Sequence, residues 1–155
     1  MTGKVPLVYW NASQSVQPGV YALRPGRPQI GDMVVVRLPD AMAEFAARRG
    51  YLPRRVLLIK PVRATAGDVV CRWGNRVYVK GKLVVRARHV DQLGRSLPRW
   101  QGCRALHDHE VFLVSEHPDG FDSRYFGPIP LRQVIGRVRL QWPLAGKIKV
   151  WLRDW

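Results

Sequence analysis

Apolar residues in this chain recur in short runs, with turn-forming residues between them. Runs of this kind fall at 5–10, 19–23, 33–38, 56–59, 69–71, 77–79, 83–85, 111–114 and 134–140. They are rich in Val, Ile, Leu, Tyr and Trp and too short for ordinary helices, so each predicts a strand. The breaks are turn material: Asn11-Ala12-Ser13-Gln14-Ser15, Arg24-Pro25-Gly26-Arg27-Pro28 and Gly67-Asp68, with Lys80-Gly81-Lys82 reading as a hairpin turn. Helical spacing occurs over about 40–49, where Ala41, Met42, Phe45 and Ala46 share one face, Asp40 offers a cap and Gly50 a stop. Residues 88–104 lack period and carry Gly94, Pro98 and Gly102, which predicts an excursion or flap. There is no internal repeat. The fold class expected is mainly β, built of antiparallel sheets with one short helix.

Composition narrows this picture. With 155 residues, 46% of them apolar, the chain fits one domain with a real core, and disorder is excluded. The charge of +15, from 26 Lys and Arg against 11 Asp and Glu, favours polyanions: nucleic acid or the anionic face of a membrane. No apolar run approaches the roughly 20 residues that span a bilayer. Met1-Thr2-Gly3-Lys4 leads straight into a strand-like segment, so the sequence reads as soluble or peripheral, without a signal peptide. The segment 141–155 mixes Trp142, Trp151 and Trp155 with Lys and Arg, a composition that suits either packing or a membrane interface. Cys71 and Cys103 do not have metal-ligand spacing. They are buried thiols, or one disulfide if the domain works outside the cytosol.

Two residues stand out chemically. Ser15 lies in a Gly- and Pro-punctuated turn, where a serine is ordinarily a turn-former. Lys60 ends the apolar run Val56-Leu57-Leu58-Ile59, so its amine either snorkels to solvent or stays buried and loses its proton. A neutral amine beside a hydroxyl is a general base for a serine nucleophile. His107-Asp108-His109-Glu110 places two histidines on one strand face but lacks a third ligand, which favours a solvated loop over a metal site. No metal or cofactor is expected.

Four blocks of sequence, in order, resemble the S26 signal peptidases and most closely their TraF-type conjugative-transfer branch. They are Asn11-Ala12-Ser13-Gln14-Ser15 with Gly19 and Tyr21; Leu57 to Lys60 with Gly67-Asp68; Leu97-Pro98 with Trp100 and Gly102-Cys103; and Phe121-Asp122-Ser123-Arg124-Tyr125-Phe126-Gly127-Pro128 with Ile135-Gly136-Arg137. The resemblance implies coiled antiparallel sheets, a single catalytic domain over 1–155, a flap at about 84–104 pinned by a Cys71–Cys103 bridge, and a basic, aromatic C-terminal segment at about 141–155. It implies Ser15 as nucleophile and Lys60 as base, with the Ser13 hydroxyl and the Ser15 N–H forming the oxyanion hole. Asp122, Ser123 and Arg124 then act as structural support. The implied activity is cleavage, or cyclisation, of an exported precursor such as a conjugative pilin, at the periplasmic face of the bacterial inner membrane.

This chain departs from the family pattern in several places. Pro61 follows the lysine, Ala66 precedes the Gly-Asp turn, and Pro18 lies three residues after Ser15. The serine that commonly orients the lysine, two residues before the aspartate, is Gly120 here, which leaves that role to a backbone carbonyl, a water or Ser123. A Ser-His-Asp triad is disfavoured because His89, His107, His109 and His117 lie outside the blocks. A basic β-domain binding nucleic acid explains the charge but not the ordered blocks. A self-cleaving repressor domain needs a helical DNA-binding region for which the chain has no room.

Overall fold

A computed structural model describes residues 8–11 and 13–143. In chain order the elements are β1 (Val8–Asn11), β2 (Gly19–Arg24), β3 (Met33–Arg37), α1 (Asp40–Arg48), β4 (Leu57–Ala64), β5 (Val69–Trp73), β6 (Arg76–Val79) and β7 (Lys82–Arg86). Then come β8 (Gly102–Ala105), β9 (Glu110–Leu113), the one-turn helix α2 (Ser123–Phe126), β10 (Ile129–Pro130), a 3-10 turn at Leu131–Gln133, and β11 (Val134–Pro143). A seven-stranded sheet has the order β1-β2-β11-β3-β4-β9-β10, and a four-stranded sheet the order β7-β6-β5-β8; every named strand pair is antiparallel. The expected mainly-β fold is therefore observed. The strand expected at 5–10 begins, among described residues, at Val8, and residues 144–155 of the C-terminal segment lie outside the described residues.

The valine run of β3 is buried on both faces, because the large sheet is covered on both sides. Val34 and Val36 pack with Leu58, Val62, Leu113 and Ile129 beneath α1, which contributes Ala46. Val35 faces the other way, onto Tyr21, Ile59 and Val138. A third cluster joins the two sheets: Val70, Val77 and Val79 of the small sheet meet Ala64 and Phe112 of the large one and Val114 just past β9.

Local chemistry explains the connections. The β6–β7 hairpin turns on Lys80 and Gly81, both at positive φ (51° and 78°), which is the mirror-image turn that matches strand twist. Helix α1 ends where Gly50 takes φ 71°, its N–H donating to the Ala47 carbonyl and the Tyr51 N–H to the Ala46 carbonyl. At the other end the cap expected from Asp40 is not made. Pro39 holds the cap position without a side-chain hydrogen bond, and Asp40 is the first helical residue, where its charge still faces the helix dipole.

Residues 84–104, expected as a flap, run from within β7 into β8. The loop between these strands is clipped to α1 and to the turn after it. Asp91 accepts from the Tyr51 hydroxyl at 2.6 Å and pairs with Arg95 at 2.7 Å, and Arg49 reaches the Ser96 carbonyl at 3.2 Å. Cys71 and Cys103 are direct partners across β5 and β8 and form a disulfide. The second sheet is thus tied to the first by shared core and by the Asp91 clip.

Candidate active site

Two segments far apart in sequence meet at one point. The first is the loop between β1 and β2. Asn11, buried at the end of β1, organises it. The Asn11 amide nitrogen donates to the carbonyls of Ser13 (3.2 Å) and Gln17 (3.3 Å), while its Oδ1 accepts from the Ser13 N–H (3.2 Å) and the Ser13 hydroxyl (2.9 Å). The Tyr21 hydroxyl donates to the Gln17 carbonyl at 2.6 Å and anchors the loop from β2. The loop closes onto β11 at Gly19, where a Cβ would lie 2.4 Å from the Trp142 carbonyl, so a side chain there is excluded. The result holds Ser13 Oγ 3.1 Å from Ser15 Oγ.

The second segment is β4. Its alternation puts Leu58, Lys60 and Val62 on the core-facing side, between β3 and β9. Lys60 is therefore not at a strand end facing water. It is only 4% exposed, and its Nζ donates to Ser15 Oγ at 2.9 Å. Burial pushes the Lys60 ammonium below the usual lysine value; Asp122 opposes that shift and Arg124 reinforces it. A buried amine with a depressed pKa beside a partly exposed hydroxyl is the arrangement general-base catalysis requires.

Asp122, Ser123 and Arg124 lie under this point, essentially without exposure. Asp122 caps α2, accepting from the Arg124 N–H at 3.1 Å, and meets the Arg124 guanidinium twice, at 2.8 and 3.0 Å. Arg124 then gathers the carbonyls of Ser115 (2.7 Å), His117 (3.0 Å) and Pro118 (3.3 Å). Asp122 Oδ2 also accepts from the Ser115 N–H at 3.0 Å and the Ser115 hydroxyl at 3.2 Å. Ser123 Oγ accepts from the Leu113 N–H at 3.0 Å. The block thus sews down the chain that leaves β9, next to the strand carrying Lys60. Ser123 spends its oxygen on that backbone and makes no hydrogen bond to Lys60, so among the described residues it does not take the orienting role suggested for it.

Two further residues were not singled out as functional from the sequence. Arg72, wholly buried on β5, donates to the Arg124 carbonyl at 2.6 Å; the Trp100 indole donates to the carbonyls of Ser123 (3.1 Å) and Arg124 (3.2 Å). Arg72 holds α2 from the second sheet, and Trp100 holds it from the loop that leads into β8. The Asn11 role had a legible signal, since Asn before a Ser-rich turn commonly bonds its own loop backbone. A cation turned inward on a short strand leaves no such mark.

The histidine rings make no hydrogen bond to these groups among the described residues. His89, His107 and His109 are exposed, and the His117 ring accepts from the Asp119 N–H. Glu110, beside the two neighbouring histidines, is engaged by Arg104 at 2.7 and 2.9 Å, which holds its carboxyl down at about 2. No cluster of three metal-ligating side chains occurs among the described residues. A concavity of about 770 Å³, lined by Arg27, Ile30, Thr65, His109 and Glu110 among others, includes neither Ser15 nor Lys60.

The chain belongs to the signal peptidase family S26. The sequence pattern of that family, described as signal peptidase, peptidase S26, matches residues 2–143. The chain is similar to a plasmid transfer protein TraF of Escherichia coli, 33% identical over 149 residues that cover 91% of this chain and 81% of the relative. It is also similar to a probable conjugal transfer protein TraF of Sinorhizobium fredii, 33% identical over 145 residues, covering 88% and 71% respectively. A solved structure, a signal peptidase I of Enterococcus faecalis, superimposes with a TM-score of 0.43 at 16% identity, covering 72% of this chain and 97% of that one. Family membership makes a serine-type peptidase acting on protein the class of this molecule.

The ion pair beneath the site yields a stability prediction. Asp122→Ala leaves the Arg124 cation buried without its partner, so unfolding in urea should show a loss of about 3–5 kcal/mol. A loss below about 1 kcal/mol, the value of an exposed pair, would show that the block does not brace the fold.

Proposed function

We propose that the chain is a serine endopeptidase in which Ser15 is the nucleophile and Lys60 the general base, acting on an exported protein precursor at a membrane surface. The observation that carries the reading is the 2.9 Å contact between Ser15 Oγ and an amine only 4% exposed. With the amine neutral, the hydrogen bond reverses: the Ser15 hydroxyl donates to the Nζ lone pair. Ser15 Oγ attacks the scissile carbonyl as its proton passes to Lys60. The oxyanion takes hydrogen bonds from the Ser15 N–H and, after a turn away from Asn11, from the Ser13 hydroxyl. The Lys60 ammonium returns the proton to the departing amine, leaving an acyl-enzyme. Water then attacks the acyl carbon to release a cut chain, or the substrate's own amino terminus attacks it and closes a ring.

The relatives' names, plasmid and conjugal transfer protein, support a substrate within a conjugation apparatus, with a pilin precursor as the reading adopted. The place of action adopted is the periplasmic face of the bacterial inner membrane. A row of side chains beside the Ser15 loop supports membrane contact. Trp10 and Trp142 both pair with Val20, in adjacent strands, and they are 56% and 68% exposed. Tryptophans at the edge of a strongly basic domain suit the headgroup layer of an anionic bilayer. No helix of the described residues is long and apolar enough to cross a membrane.

Cleavage of a quenched-fluorescent peptide carrying Ala-X-Ala before the cut tests the catalytic assignment. Ser15→Ala and Lys60→Met should abolish turnover. Ser13→Ala should retain it, reduced about 10²–10³-fold, the usual effect of losing one oxyanion donor. The rate should rise with pH through a single ionisation below the ordinary lysine value of 10.5, because only the neutral amine is a base. Full activity in Lys60→Met, or equal losses in Ser13→Ala and Ser15→Ala, contradicts the division of labour. Sedimentation with phosphatidylglycerol vesicles tests the membrane reading. Binding should exceed that to phosphatidylcholine and fall in Trp10→Ala/Trp142→Ala; binding that distinguishes neither lipid nor variant removes it.

A further inference from the structure

Strand β8 has little of its own to hold it in place. It is an edge of the small sheet, pairs only with β5, and none of its four residues is buried. An edge strand with no buried side chain gains almost nothing from apolar burial. Beyond its ladder, two ties reach it among the described residues: the pair of Arg104 with Glu110 and the bridge from Cys103 to Cys71. Arg104 is exposed, and such a pair contributes little, so the bridge is the main tie.

The segment that enters β8 carries Trp100, three residues before Cys103. Its ring stands edge-on to Phe112, 5.9 Å between centroids, and its N–H reaches the carbonyls of Ser123 (3.1 Å) and Arg124 (3.2 Å). Both carbonyls belong to α2, the single turn that opens on the buried Asp122–Arg124 pair. A helix this short has too few bonds of its own and depends on donors from outside. One donor is Arg72, on the inner strand β5; the other is Trp100, whose place depends on β8. Cys71 adjoins Arg72, so the bridge fastens the strand bearing one donor to the segment bearing the other.

We propose that the Cys71–Cys103 bridge is a redox-sensitive latch on the catalytic site: formed, it keeps the Trp100 N–H on the carbonyls of α2; reduced, it releases β8 and Trp100, and α2 loosens. Trp100 is then a positioning residue that acts on the site through α2. The effect on turnover rests on the reading of Ser15 and Lys60 as the catalytic pair; the latch does not. Cys103 is exposed, so a soluble dithiol reaches it. One thiolate of the dithiol attacks the Cys103 sulfur and the Cys71 thiolate leaves. The second thiol displaces the Cys103 thiolate, and the dithiol closes to a cyclic disulfide, having supplied two electrons. The dithiol's two protons pass to the freed cysteines. The site is therefore tightest where thiols are kept oxidised, outside the cytosol.

Amide hydrogen exchange, read by NMR, tests the latch. It is measured on the oxidised chain, on that chain reduced with dithiothreitol, on Cys71→Ser/Cys103→Ser and on oxidised Trp100→Phe, with turnover of the quenched-fluorescent peptide alongside. The reporters are the N–H groups of Tyr125 and Gly127, which donate to the Asp122 and Ser123 carbonyls at 2.9 Å. Reduction should speed their exchange about tenfold, the weight of one lost hydrogen bond, and should lower kcat while KM stays unchanged. The double serine variant should match the reduced chain. Trp100→Phe keeps a ring against Phe112 but has no N–H. It should show the same loosening while oxidised, and reducing it should add little, because both changes remove one contact. The ladder between β2 and β11, in the other half of the large sheet, should exchange as before. Unchanged exchange at Tyr125 and Gly127 with both thiols free overturns the proposal, as does oxidised Trp100→Phe that exchanges like the parent. Acceleration spread evenly over the chain also overturns it, since the bridge is then a general staple. If Trp100→Phe does not fold, the reduced chain decides: acceleration confined to α2 supports the latch, and even acceleration overturns it. An active parent whose kcat ignores the loosening overturns the link to the site. A parent without turnover ends the catalytic reading, and exchange alone then decides the latch.

Discussion

The structure depends on keeping one amine out of water. Lys60 is placed on the inward face of a central strand, between β3 and β9, so the same alternation that buries Leu58 and Val62 buries its ammonium. Burial shifts the folded lysine toward its neutral form relative to the unfolded one, lowering its pKa below the usual 10.5. Between its folded pKa and 10.5 the unfolded state therefore binds the extra proton, and stability rises with pH through that window. The fold accepts this penalty and offsets it elsewhere. Two apolar clusters flank the large sheet, and a third seals it to the small one.

The remaining parts answer to where that amine must point. Asn11 and Tyr21 give the first loop a fixed shape, so that a flexible-looking polar segment presents Ser15 at one place. Asp122 and Arg124 neutralise each other, and Arg124 holds the carbonyls of Ser115, His117 and Pro118, which fixes the segment that leaves β9. Their opposed charges also set limits on the lysine: the carboxylate draws it back toward the charged form and the guanidinium drives it away. The second sheet has a part in this as well. Arg72 and Trp100 close the carbonyl end of α2, and the disulfide lies immediately beside Arg72 in β5, so the covalent link and the support of the site share one strand pair.

Much of this was legible in the sequence. The short β-branched runs point to nine of the eleven strands; β8, inside the segment read as a flap, and the two-residue β10 carry no such run. The Lys80-Gly81 pair gave the hairpin, and the spacing of Ala41, Met42, Phe45 and Ala46 gave α1 together with its stop at Gly50. The resemblance brought Ser13, Ser15, Lys60 and Asp122 to Arg124 together as candidates, and the structure places them around one point. The rest depends on long-range pairing. Nothing local says that β11 inserts between β2 and β3, or that β9 pairs with β4. The Asp40 cap was misread because Pro39 already occupies the cap position, which moves the aspartate into the first turn. Residues 88–104 looked irregular because their order comes from side-chain contacts such as Asp91 with Tyr51, just past α1, and not from any period of their own.

Neutron diffraction from deuterated crystals, at the pH of greatest turnover, addresses the state of that amine most directly. The account predicts two deuterons on Lys60 Nζ and a Ser15 O–D bond directed at it, across a separation near 2.9 Å. Three deuterons on the nitrogen, or a Ser15 hydroxyl directed elsewhere, would contradict it.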